Sequence, residues 1–136
     1  QEYLEKDCAP DSVFVKGKIR VFIGAGQFSR WAGLAEVGIA NAGTATEQLV
    51  GLGFPCVSLP GRGPQFKYHF ALRQSRLLNG SVIPCKSSRD MAEMVAVLLR
   101  DSEFRKSLSS KGKKRMGLPG GSEALAKLIL NSFFEK

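Results

Sequence analysis

Apolar residues in this chain come in short blocks, each closed by glycine, proline or a polar cluster. Val13 to Ile23 is rich in β-branched and aromatic residues, and its end, Ile19 to Ile23, reads as a strand. Gly24-Ala-Gly-Gln27 is a turn, and Phe28 to Ala35 fits a short helix. Glu36 to Ala40 is the next strand, followed by a helix from about Thr46 to Leu52. Pro55 to Leu59 is again a strand, and its exit, Pro60 to Pro64, holds too many breakers to be regular. From Gln65 to Leu78, Phe66, Phe70 and Leu77 mark one helical face, which Asn79-Gly80 stops. Ser81 to Pro84 is a short strand. Ser87 and Asp90 form a capping-box pattern, and Met91, Met94, Val95, Leu98 and Leu99 then recur at helical spacing. Ser102 to Lys114 predicts a further helix. Leu118-Pro-Gly-Gly breaks it, and Ser122 is a candidate N-cap for a last helix expected to bury Leu125, Leu128, Ile129 and Phe133.

Strands alternating with helices over short connections predict an α/β fold, a Rossmann-like parallel sheet with flanking helices. Four strands are expected, with no internal repeat. Residues 1–12 read as a polar lead-in. The 136-residue length fits one domain with a single core. No apolar run reaches the roughly 20 residues that span a bilayer, and the first residues carry no signal-peptide core. The chain begins without Met and is expected to be a fragment of a longer protein.

Charge changes the picture locally. The formal net charge is +8, and nine basic residues face four acidic ones between Lys86 and Arg115. Such a segment favours an anionic partner or is a solvated helix face. Its densest run, Lys111-Gly-Lys-Lys-Arg115, has only Phe104 as a nearby aromatic, a poor match to a nucleic-acid stacking surface. Cys8, Cys56 and Cys85 lack metal-like spacing, and the latter two sit in apolar strand blocks as small hydrophobes. His69, the sole histidine, lies in an apolar helical pattern and reads as packing or surface.

Candidate chemistry gathers after two consecutive strands, whose carboxyl ends would release polar loops at one sheet edge. Gly43, Thr44, Thr46, Glu47 and Gln48 open a helix whose free N–H groups favour phosphate, with hydroxyl, carboxylate and amide groups beside them. The second loop, Gly61-Arg62-Gly63-Pro64-Gln65, offers Arg62 to a phosphate and Gln65 to sugar hydroxyls. Gly24-Ala25-Gly26 is a near miss for the dinucleotide fingerprint, with Ser29 where the third small residue belongs. No Asp-x-Asp pair or other metal-ligand cluster stands out.

The block Glu36, Val37 to Ala40, Ala42-Gly43-Thr44-Ala45-Thr46-Glu47-Gln48 and Gly53-Phe54-Pro55 resembles the donor-binding, C-terminal half of GT-B glycosyltransferases. Lipid-A-disaccharide synthases and their related proteins are the nearest likeness; the N-acetylglucosaminyltransferases of peptidoglycan synthesis are more distant. The likeness covers about residues 20–135 and is most specific in the central block. It implies a partial GT-B C-terminal domain that binds a UDP-sugar donor, of the UDP-N-acetylglucosamine type, for transfer to a lipid-linked acceptor. By the same resemblance Gly43, Thr44 and Thr46 hold phosphate, and Gln65 the sugar. A backbone group at Ile23, Gly24 or Ala25 meets the uracil. The ribose falls to a glutamate one turn into the helix. Counting back from Gly53-x-Pro55 puts Gln48 there, with Glu47 one residue early, and adjacent helical positions point about 100° apart.

The resemblance implies no metal or other cofactor. It implies a missing N-terminal acceptor domain carrying the catalytic base, so this chain alone would be inactive. It also implies a cytoplasmic or organelle-stroma location, with peripheral contact to an anionic membrane surface; the lack of stacking aromatics near the basic run predicts no nucleic-acid partner. Other readings are a non-catalytic nucleotide-binding or interaction module, and a nucleotide-sugar epimerase-like domain.

Overall fold

A computed structural model describes residues 10–41, 43–63 and 67–134. They fall into two compact units that divide between Glu36 and Val37.

In the first unit β1 (Ser12–Lys16) and β2 (Ile19–Ile23) form an antiparallel hairpin, with Phe14 opposite Val21 and Val15 opposite Arg20. This corrects the expectation that Ile19 to Ile23 is a strand of the parallel sheet. Gly17-Lys18 joins the two strands directly, and so short a turn closes only an antiparallel pair, parallel pairing needing a dozen or more residues. Phe14, Val15, Ile19, Val21 and Ile23 remain exposed, and an isolated two-stranded hairpin is marginal in water. The helix α1 (Phe28–Ala32) follows and stops short of Ala35, with Gly33 as its C-cap.

The second unit contains β3 (Gly38–Ile39), α2 (Gly43–Leu52), β4 (Cys56–Ser58), α3 (Tyr68–Leu77) and β5 (Val82–Pro84). After them come α4 (Ser88–Arg100), α5 (Ser102–Met116) and α6 (Gly121–Phe133). Its sheet is parallel, in the order β3-β4-β5. The fold is therefore α/β, a Rossmann-like three-stranded sheet flanked by helices, where four strands were expected.

Side-chain alternation along the strands divides the core. Cys56 and Val82 pack with Ala40, Val50 and Leu78 under α2 and α3. Val57, one residue on from Cys56, packs with Cys85, Leu98 and Leu108 under α4 and α5. The α4 capping box forms as expected: the Ser87 hydroxyl accepts from the Asp90 N–H, and the Asp90 carboxylate accepts from the Ser87 N–H. Leu98 is fully buried, with Met91, Met94 and Val95 beside it. Leu99, about 100° further round the helix, is exposed instead of packed.

Close approach fixes α5. A Cβ on Gly112 would stand 2.6 Å from Val50 Cγ1 and 3.0 Å from the Val50 carbonyl oxygen. Only a residue without a side chain lets α5 pass α2 at this distance. Beside it the Ser81 hydroxyl donates to the Leu108 carbonyl at 2.8 Å.

The last helix forms, but its packing is not the one expected. Leu125, Leu128, Ile129 and Phe133 are 43–76% exposed, and Gly120, not Ser122, is its N-cap. Amphipathic spacing identified a helix with an apolar face. It carried no information on whether sheet surface remained for that face, and both core clusters are filled by α2 to α5.

Candidate functional site

Parallel pairing brings the carboxyl ends of β3, β4 and β5 side by side, and polar contacts tie these exits together. Asn41, just beyond β3, accepts through Oδ1 from the Ser58 hydroxyl at 3.1 Å and from the Leu59 N–H at 2.9 Å. Lys86, beyond β5, holds its ammonium 5.9 Å from the centre of the Tyr68 ring at the start of α3, within cation–π range. Gln74, buried on α3, donates through Nε2 to the Gly43 carbonyl at 3.3 Å. That bond positions the first turn of α2 against α3. Asn41, Ser58, Leu59, Lys67, Phe70, Ala71 and Gln74 line a small crevice there.

Chemically this edge offers donors. The first four N–H groups of α2 have no partner within the helix and carry its partial positive charge. The Lys67 ammonium has no hydrogen-bond or ion-pair partner among the described residues. The three strands follow in space the order they have in sequence. No topological switch point lies between them, so a ligand reading rests on edge chemistry, not on a reversal of strand order.

The sequence-nominated residues separate in this frame. Gly43 opens α2, one residue earlier than Thr44 and three earlier than the helix start expected. Thr44 and Gln48, one turn apart, are exposed, while Glu47 is half-buried one turn beyond Gly43. Thr46 is fully buried and its side chain belongs to the interior. Arg62 is exposed in the loop after β4. Gln65 lies outside the described residues.

Gly24 and Ala25 belong to the first unit. The Ala25 N–H donates to the Asp11 carboxylate at 2.9 Å, so that backbone donor is occupied. Gly24 lies under the Trp31 indole, where an added Cβ would come within 2.9 Å of the ring. The turn is thus closed by Asp11 and Trp31, and nothing in the spacing of Gly24-Ala-Gly26 announces either partner.

Sequence reasoning also missed Asn41, Lys67 and Gln74 as parts of one edge. Only Asn41 carried a signal, as the residue closing a strand where a ribose-binding acid would stand in a dinucleotide fold. Cys56 and Cys85 are free and buried, as expected of structural thiols. Burial pushes the Cys56 thiol up to about 12, and burial followed by the Asp90 carboxylate raises Cys85. Among the described residues no three His, Cys, Asp or Glu side chains gather as a metal site, and no helix is long and apolar enough to cross a membrane. No protein-family model, curated protein or solved structure matches the chain.

Proposed function

We propose that this chain is the donor-binding part of a GT-B glycosyltransferase, holding a UDP-sugar of the UDP-N-acetylglucosamine type for transfer to a lipid-linked acceptor. The observation that supports this reading is a crevice at the carboxyl edge lined by Lys67 and by Gln74, whose amide holds the Gly43 carbonyl in the α2 first turn. A diphosphate lying there would receive N–H donors from Gly43 and Thr44. Lys67 would offset a further charge.

Those donors stand ready before reaction. They would favour the charge that builds on the departing UDP as the sugar bond breaks, without a metal ion. Glu47 or Gln48 would hold the ribose diol: the carboxylate can accept from both hydroxyls, and the amide can accept from one and donate to the other. The loop after β4 would bring Arg62 to phosphate and Gln65 to the sugar. The acceptor and its general base would belong to another domain, and catalysis would require both. Such an enzyme would work in the cytoplasm or an organelle stroma, in peripheral contact with an anionic membrane.

Saturation-transfer NMR of the full chain with UDP, UDP-N-acetylglucosamine and NAD tests this. Selective transfer to the uridine nucleotides, weakened in Gln48→Ala or Glu47→Ala, is the expected result. Preference for NAD would overturn it in favour of a dinucleotide site. A folded chain that binds none of the three would leave an interaction module as the better reading.

A further inference from the structure

We infer that the opposite, amino edge of the sheet carries a second site, a cationic cleft that takes a phosphate group. Arg76, Asn79, Lys114 and Arg115 line a surface groove of about 480 Å³ where the C-terminal ends of α3 and α5 meet. Arg115 donates through Nε to the Leu77 carbonyl at 2.6 Å. That bond fixes its guanidinium while leaving the terminal nitrogens to other acceptors. The Arg76 and Lys114 side chains have no hydrogen-bond or ion-pair partner among the described residues.

The two helices supply no carboxylate near these charges. Tyr68–Leu77 contains no Asp or Glu, and neither occurs between Glu103 and Glu123. A helix C-terminus carries only about half a negative charge, so one cation near each end suffices for it. Three cations on one groove exceed what two helix ends require, and Arg115 already serves one of them directly. The surplus suits a phosphate, whose oxygens accept two parallel N–H bonds from a guanidinium and a point charge from an ammonium. Asn79, held at φ 55° beyond the end of α3, adds a neutral amide at the rim.

A second, more apolar groove adjoins the first and shares Lys114, with Gly51, Gly117, Leu118 and Pro119 among its lining residues. Leu118 is 92% exposed. The phosphate therefore has two possible sources, a soluble phosphate compound or the headgroup of an amphiphile whose apolar part lies along Leu118. The site is independent of the donor reading, since it occupies the other end of the strands.

The test is an amide-resolved NMR titration of the full chain with inorganic pyrophosphate, paired with sedimentation on vesicles of phosphatidylcholine with and without phosphatidylglycerol. The comparison protein is Arg76→Gln/Lys114→Gln, two exposed changes that keep the Arg115 contact. Saturable shifts confined to Arg76, Asn79, Lys114 and Arg115, with affinity about tenfold lower in the double variant, support a soluble phosphate source. Retention on the anionic vesicles alone, lost in the double variant and reduced in Leu118→Ser, supports a headgroup source. Absence of both responses, or responses that the double variant leaves unchanged, overturns the site. A loss confined to the Gly43–Gln48 amides on UDP addition would bear on the donor site and leave this one standing.

Discussion

The two edges of one short sheet are organised differently. At the carboxyl edge the helix starts, Asn41 and Gln74 tie the strand exits together, and helix N–H donors stand beside Arg62, Lys67 and Lys86. At the amino edge the helix ends gather Arg76, Lys114 and Arg115, with no acid among the described residues lining their groove. The difference follows from the direction of the chain. The two crossovers point α2 and α3 the same way, so their positive ends face one edge and their negative ends the other. The polar carboxyl edge is suited to orienting a ligand through directed N–H groups. The amino edge attracts through charge, which salt screens over about 10 Å at 0.1 M.

Breaking the scaffold between the edges should cost most. Leu98→Ala empties a fully buried site beneath α4 and should lower unfolding free energy by about 2–5 kcal/mol, measured by urea denaturation. Gly112→Ala forces a side chain into Val50 and should cost about 1–3 kcal/mol. Gly121→Ala meets nothing within 4 Å and should leave the midpoint nearly unchanged; an equal loss in both would refute close α2–α5 packing.

Substitutions at one edge should sharpen the contrast at smaller cost. Asn41→Ala leaves the Leu59 N–H and the Ser58 hydroxyl without their acceptor and should cost about 1 kcal/mol. Asn41→Asp keeps an oxygen there and should recover most of it; thermal melts of the pair decide. The smallest effect at neutral pH concerns Cys56. Its folded value, about 12 against an ordinary 9.0, means that the unfolded chain releases this proton first. The stability it contributes is therefore full below pH 9 and lost as pH climbs from 9 towards 12. Cys56→Ala should flatten that part of a stability–pH curve, and alkylation of native Cys56 at pH 8 should be slow.

Much of unit two was legible because its signals are local. The Ser87–Asp90 box, the Met91 to Leu98 spacing and the breakers around Pro60 each act within a few residues, and each appears in the structure. What failed depended on partners distant in sequence. Ile19 to Ile23 has strand composition, but whether it pairs with a neighbour or a sheet was settled by the short Gly17-Lys18 turn. The α6 spacing defined an apolar face without supplying a surface to receive it. At the candidate site, glycine and threonine marked the α2 start. Gln74, which holds that start from 31 residues away, looked like any polar residue on a helix. Thr46 shows the converse: a hydroxyl in a ligand-like motif that the fold keeps inside.

Backbone amide mapping of the full chain during titration with UDP tests the central claim most directly. The account predicts saturable shifts at Gly43, Thr44, Ala45 and Lys67, with little change at Arg76 and Lys114. A folded chain whose Gly43–Gln48 amides stay fixed at saturating UDP, or whose only shifts fall in the Arg76–Lys114 cleft, would contradict it.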